Sequence, residues 1–292
     1  VVDLVTPAFK SAAAFARTAP PPVSRAMGDG LARVALLQSP RRRRLVERNL
    51  RRADPTLSGR RLRRAVVQLF ESYARYWVES FRLPTVGLDE IDRRFRPEGF
   101  EHIKAAHDAG KGAVLVLPHL GGWEWAAFWL TRVQGIPVTA VAEQLEPPEL
   151  FDWFVELRRS FGMEIVGLGP EAGAASIRAL KANHMLALLC DRDLTGDGVE
   201  VDFFGERTTL PAGPAVLALR TGAPIHAVGV YFEGADHHAI VEPALDTTRQ
   251  GTLREDVARI TQDVAHALEG LIRRAPEQWH LLQPNWPSDR RT

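Results

Sequence analysis

The 292-residue chain has a single cysteine, Cys190, which excludes an internal disulfide framework and any cysteine-cluster metal site. A reducing compartment fits that composition. Cys190 closes the apolar run Met185–Leu189, the setting of a buried, inert thiol. No uninterrupted run of about 18 apolar residues occurs, as a membrane-spanning helix would need; the most apolar region, 113–130, is broken by Pro118, His119 and Glu124. The first seven residues lack the basic segment and long apolar core of a signal peptide. Gly121-Gly122 is not a dinucleotide fingerprint, because the Gly-x-Gly-x-x-Gly spacing is missing, and neither a Gly-x4-Gly-Lys-Ser/Thr loop nor a Gly-x-Ser-x-Gly elbow is present. His237-His238 has no third ligand at a spacing suited to metal, and no internal repeat or low-complexity linker appears.

What is present is enough apolar residue, 45%, to bury a large core in one domain. A net charge of +1 conceals a division. Residues 1–96 hold 20 Lys and Arg against 9 Asp and Glu, whereas residues 97–292 hold 17 against 27. A basic half of this kind points to an anionic partner surface. Residues 3–17 fit an amphipathic helix with Leu4, Val5, Ala8, Phe9, Ala12, Phe15 and Ala16 on one arc, ended by Ala19-Pro-Pro-Pro22. It suits either a membrane interface or packing on the body. Arg41–Arg44 and Arg60-Arg61-Leu-Arg63-Arg64 bracket two more helical stretches, and in the second Val66, Leu69, Phe70, Tyr73, Trp77 and Phe81 form a core stripe. Basic runs beside an amphipathic helix match anionic lipid headgroups, at about 1 kcal/mol per near-surface charge. Nucleic acid is not expected, because no recognition module is present.

From Arg93 onward strand and helix signals alternate, with strands expected over 112–118, 136–142, 163–168, 185–190, 199–204, 224–232 and 237–243, and helices over 98–109, 122–133, 148–161, 171–182, 212–221 and 252–274. The expected fold is α/β: a single domain with a central, largely parallel sheet flanked by helices, plus N-terminal membrane-associating helices. The expected division is a basic helical region over 1–92 packed on an α/β core over 93–292.

The chain is organised around Gly112–Trp125. A β-branched apolar run breaks at Pro118, passes through His119-Leu-Gly-Gly122 and enters a helix at Trp123-Glu124. His119 thus stands at the carboxyl end of a strand, where open α/β sheets bind ligands. His-x4-Asp/Glu alone is a weak pattern, and His237 with Glu242 repeats it, but that pair lies in a strand, where an offset of five points side chains to opposite faces. Glu143 and the Asp191-Arg192-Asp193 group follow other strands at the same expected edge, and Arg158 and Arg159 lie on the next helix within reach.

The His119-Leu-Gly-Gly-Trp-Glu124 block resembles the His-x4-Asp/Glu motif of the lysophospholipid-acyltransferase-like superfamily, in its lipid A biosynthesis branch. Tyr73-Ala-Arg-Tyr-Trp77, Asp191-Arg-Asp-Leu194, Gly198–Gly205 and Leu210-Pro-Ala-Gly-Pro214 narrow the resemblance to the actinobacterial phosphatidylinositol mannoside acyltransferase family, over roughly residues 3–285. The resemblance implies transfer of a fatty acyl group, typically palmitoyl, from acyl-CoA as co-substrate to a mannose 6-hydroxyl of a phosphatidyl-myo-inositol mannoside. It implies a peripheral enzyme at the cytoplasmic face of the plasma membrane, without metal or bound cofactor. By position it assigns His119 as general base and Glu124 as its partner, with Glu143, Arg158, Asp191, Arg192, Asp193 and Glu200 supporting. Which of Asp191, Asp193 and Glu200 supports His119 stays open at this level, and Glu stands at 124 where the family commonly has Asp.

The chemistry fits the residue types. A sugar hydroxyl attacks a thioester more readily when a neutral imidazole removes its proton, and a carboxylate on the far ring nitrogen fixes the tautomer. Glu124 is the first choice for that carboxylate, and backbone N–H groups near Gly121-Gly122 or an arginine would meet charge on the thioester oxygen. Another lipid acceptor, an acyl-CoA hydrolase, and a non-catalytic lipid-binding protein are the alternatives.

Overall fold

In a computed structural model, described over residues 5–291, four helices precede the sheet: α1 (Val5–Thr18), α2 (Pro21–Gln38), α3 (Pro40–Ala53) and α4 (Gly59–Arg82). Residues 3 and 4 of the first expected helix lie outside the described residues. Helix α1 ends before Pro20, which removes an N–H, and Pro21 and Pro22 are tolerated because they fall in the first turn of α2. The rest of the chain contains α5 (Leu88–Arg93), β1 (Phe95–Glu98), α6 (Phe100–Asp108), β2 (Ala113–Leu117), α7 (Trp123–Phe128), β3 (Val138–Ala142), α8 (Pro148–Arg159), β4 (Glu164–Gly167), α9 (Ala172–Lys181), β5 (Met185–Leu189), β6 (Val199–Phe203), β7 (Glu206–Leu210), α10 (Gly213–Thr221), β8 (Ile225–Glu233), β9 (Asp236–Val241) and α11 (Leu253–Arg274). Helix α7 runs on into one wide π turn, Trp129–Val133.

Seven strands form one sheet in the order β1-β9-β8-β2-β5-β3-β4, and every neighbouring pair is parallel except β8 with β9. The alternating side chains of β2 show how it is covered. Ala113, Leu115 and Leu117 enter a core shared with α1, α6, α7, α8 and the end of α4, while Val114 and Val116 enter a second core under α9, α10 and α11. Helix α11 begins with a full capping box, Thr252 accepting from the Glu255 N–H and Glu255 accepting from the Thr252 N–H. Among the described residues no helix is long and apolar enough to cross a membrane.

Three features depart from the sequence reading. Strand β6 does not join the central sheet; it pairs only with β7, as a hairpin turned through Phe204 and Gly205, both at positive φ. Strand β7, Glu-Arg-Thr-Thr-Leu, escaped notice because its polar residues hide an alternating burial. Strand β1 escaped because four residues containing a proline read as an edge or no strand at all.

Helix α1 turns only part of its apolar arc into the protein, since Val5, Ala8 and Phe15 stay exposed. Ala13 and Ala16 are buried, and Phe9 packs edge-on against Trp77 and Phe154, each at 5.6 Å. Helix α2 instead leaves Val23, Leu31, Val34 and Leu37 exposed, at 49, 59, 48 and 81%, within an arc of roughly 120° at 100° per residue.

The turn after β2 is pressed against β8. Gly121 has φ +55°, and a Cβ there would stand 2.0 Å from the Val230 carbonyl oxygen. Gly121→Ala is therefore expected to cost about 3 kcal/mol or more, from left-handed strain plus a contact with backbone that cannot rotate away. Urea titration reads this directly; an unchanged midpoint would mean that the turn relaxes freely.

Candidate active site

Strands β2 and β5 pair in parallel from Ala113↔Met185 to Leu117↔Leu189, so the residues that follow them emerge side by side. The pairing extends one step further, with the Cys190 N–H donating to the Leu117 carbonyl at 2.9 Å. Asp191 then faces His119. Its Oδ1 lies 2.6 Å from His119 Nδ1, and its Oδ2 accepts from the His119 backbone N–H at 3.1 Å and from Trp279 Nε1 at 2.8 Å. Burial works to raise the Asp191 pKa, but the His119 imidazole and these hydrogen bonds outweigh it and hold the carboxyl below the usual range. An ionised carboxylate only accepts, so Nδ1 carries the proton and the Nε2 of a neutral imidazole keeps its lone pair. Asp191 is fully buried, whereas the His119 side chain is 25% exposed.

A strap from the C-terminal region closes over this pair. The His280 N–H donates to the His119 carbonyl at 2.7 Å, the Gly121 N–H to Gln278 at 3.1 Å, and Asn285 Nδ2 to the Asp191 carbonyl at 3.0 Å. The Gly121 N–H is thereby committed and does not face a reacting oxygen, contrary to the expectation for that glycine pair. Gly122 owes its lack of a side chain to packing, since a Cβ would stand 2.9 Å from Phe232 and from the His237 ring.

Glu124 does not reach His119, which corrects the sequence-based pairing. Its Oε1 accepts from Arg158 Nη2 at 2.9 Å and Nε at 3.2 Å, and its Oε2 accepts from Ser80 Oγ at 2.5 Å. The start of α7 points this carboxylate between α4 and α8, where it is 4% exposed. Arg158 loses to burial but gains more from Glu124 and the adjacent Tyr76, so its pKa stays raised. This is a buried ion pair that fixes α7 to two helices.

The other expected residues divide. Glu143, at the end of the strand beside β5, pairs with Arg192 Nη2 at 2.8 Å, and Arg192 also donates to Gln283 of the strap. Asp193 turns away from His119 and accepts from the Gly196 and Gly198 N–H groups, both at 2.9 Å, and from Thr209 Oγ1 at 2.8 Å, which holds the loop before β6. Glu200 sits on the hairpin, paired across it with Arg207 at 2.9 Å, with 69% of each side chain exposed; the structure does not bring it to the site. Arg159, the neighbour of Arg158, is exposed.

His237 is not a surface residue. It is fully buried, stacks on Trp125 at 4.1 Å, and stands 2.8 Å from Glu79 Oε2. Burial lowers its pKa more than Glu79 raises it. Cys190 is buried, and burial with the adjacent Asp191 charge pushes its thiol up, as an unreactive sulfur requires. Among the described residues no group of three or more His, Cys, Asp and Glu is arranged to hold a metal ion. Sequence reasoning missed Trp279, His280, Asn285, Ser80 and Tyr76. The strap follows the last helix without any periodic pattern, and Tyr76 and Ser80 stand beside the α4 residues read as a core stripe rather than in it.

A histidine–carboxylate pair at the carboxyl edge of a largely parallel sheet, with the imidazole partly exposed, has the geometry that general-base chemistry requires. The model of the bacterial lipid A biosynthesis acyltransferase family matches residues 10–288, and the chain belongs to that family of acyltransferases. Within it, the chain is 44% identical to the phosphatidylinositol mannoside acyltransferase of Mycolicibacterium smegmatis over 221 residues, 75% of this chain and 71% of that protein. It is likewise 44% identical to the Mycobacterium tuberculosis protein of that name over 225 residues, 75% of this chain and 69% of that one. The lipid A biosynthesis acyltransferase of Haemophilus influenzae is 27% identical over 198 residues, 65% and 58% of the two chains.

Two measurements follow from this geometry. Glu124→Gln leaves Arg158 buried beside a neutral amide, so it should cost about 3 kcal/mol of stability while turnover per folded molecule stays nearer the wild type than in Asp191→Asn. The opposite ranking, with Glu124→Gln stable and Asp191→Asn fully active, would return the partner role to Glu124. The second concerns His280, which burial and the His119 charge push down to about 3 from 6.5 despite Asp191. It is neutral in the fold but protonates on unfolding between those values, so the native state binds fewer protons there and stability falls as pH drops from about 6.5 toward 3. His280→Gln should flatten the fall of Tm between pH 7 and 5; a slope parallel to the wild type would assign the acid sensitivity to another group.

Proposed function

We propose that this acyltransferase moves a fatty acyl group, palmitoyl in the simplest case, from acyl-CoA to a mannose 6-hydroxyl of a phosphatidyl-myo-inositol mannoside, with His119 as general base. The observation that carries the reading is the His119–Asp191 pair, with its free Nε2 directed away from the buried carboxylate. His119 Nε2 takes the hydroxyl proton as the oxygen bonds to the thioester carbonyl carbon. Asp191 steadies the imidazolium that results. The C–S bond then breaks, and the imidazolium returns the proton to the departing thiolate, leaving an ester and free CoA with no acyl-enzyme. A phosphatidylinositol mannoside as acceptor is supported by the names of the mycobacterial relatives.

Two further observations support a lipid substrate. An apolar cavity of about 40 Å³ lies between the sheet and α7, lined by Leu117 and Trp123, which precede and follow His119 in the chain, and by Ala126, Ala127, Leu130 and Ala187 among others. A gap with so little polar surface stays dry, and an acyl chain entering there widens it by moving side chains. The outward apolar face of α2, followed by Arg41, Arg42 and Arg44, which are exposed, suits peripheral binding to an anionic membrane at the cytoplasmic face.

Replacing His119 by Ala should lower acyl transfer to mannosylated phosphatidylinositol by about 10²–10⁴-fold, with circular dichroism unchanged. A folded variant with wild-type turnover would end the general-base assignment. For the membrane, Leu31→Asp with Leu37→Asp should reduce sedimentation with anionic vesicles. Undiminished sedimentation would place the lipid contact on another surface.

A further inference from the structure

The basic run at the start of α3 has a specific architecture. Arg41, Arg42, Arg44 and Arg48, with Leu45 and with Leu282, Pro284 and Asp289 of the C-terminal strap, line a cavity of about 270 Å³. Arg43 turns to Glu47 at 3.2 Å. The acid in the wall is already committed: the Asp289 side chain is fully buried and contacts Arg48 at 3.5 Å and Arg52 at 3.0 Å, and it accepts from the N–H groups of Asn285 and Trp286. Arg41, Arg42 and Arg44 form no ion pair with any described residue and stand around open space. The first turn of α3 adds no acidic side chain.

The wall of this cavity is tied to the His119–Asp191 pair through the strap. His280 is bonded to His119, and Leu282, two residues on, lines the cavity; two residues span at most about 7 Å. Tyr73 links the two places from the other side, its ring 5.4 Å from that of His280 and its phenol within the field of both Arg42 and Arg192. Guanidinium groups match phosphate oxygens in geometry and charge, and several around one hollow compensate a multiply charged group better than a carboxylate.

We propose that Arg41, Arg42 and Arg44, braced by the Arg48–Asp289 pair, form a subsite that binds a phosphate ester of a substrate while its reacting end lies at His119. The proposal rests on the acyl-transfer reading above, in which both the CoA donor and the phosphatidylinositol acceptor carry such phosphates.

The test replaces Arg41, Arg42 and Arg44 together by Gln, which keeps helix propensity. The control replaces Arg51, Arg60 and Arg63 by Gln, removing the same charge outside the cavity. Each KM is measured separately, and calorimetry follows binding of CoA, pantetheine and glycerophosphoinositol to the intact protein. The cavity variant should raise one KM about tenfold or more with kcat little changed, and the control should not. A raised donor KM, with CoA binding lost and pantetheine unaffected, identifies the CoA phosphates. A raised acceptor KM with loss of glycerophosphoinositol binding identifies the lipid phosphodiester. Equal effects in variant and control, or two unchanged KM values, would overturn the subsite. Should the wild type transfer no acyl group, the functional reading fails on its own, and calorimetry still decides the subsite: no difference between wild type and cavity variant, or no binding to either, rejects it.

Discussion

The parallel pairing of β2 with β5 is the constraint on which the site depends. Because Leu117 is in register with Leu189, His119 and Asp191 leave the sheet together and the two oxygens of Asp191 divide the work. One takes the imidazole; the other takes the His119 backbone and Trp279. The carboxylate thus fixes the ring and the backbone that carries it, and recruits the strap as well. Losing the Trp279 bond would leave a buried charge short of a partner, so the strap and the dyad stabilise one another. A carboxylate held from three directions keeps the His119 imidazole in one orientation.

Much of this was legible in the chain. All strands of the central sheet but β1 announce themselves as apolar runs, and His119 was singled out because it ends such a run. Asp191 was on the candidate edge for the same reason. The choice between Glu124 and Asp191 was not legible. Five residues of separation made Glu124 look close, whereas the pairing of strands 72 residues apart decided the matter. Glu124 was captured by Ser80 and Arg158, 44 and 34 positions away, and no local pattern encodes which helices will flank α7. Helix α1 shows the same limit: its amphipathic arc is real, but periodicity does not say whether an apolar face meets lipid or protein, and here Phe9 meets Trp77 and Phe154.

Helix α4 joins these parts into one mechanical unit. Its first half, through Leu62, Val66 and Leu69, packs with α2 and α3 in a core of their own. Its second half sends Ser80 to Glu124 and packs Tyr73 and Tyr76 against His280. On its opposite side, Gly28 of α2 fits so tightly that an added Cβ would stand 3.1 Å from Val78 and 3.9 Å from Ala74. Both α2 and α4 therefore lie between the outward face of α2 and the His119–Asp191 pair, two helix layers of about 10–12 Å each with side chains.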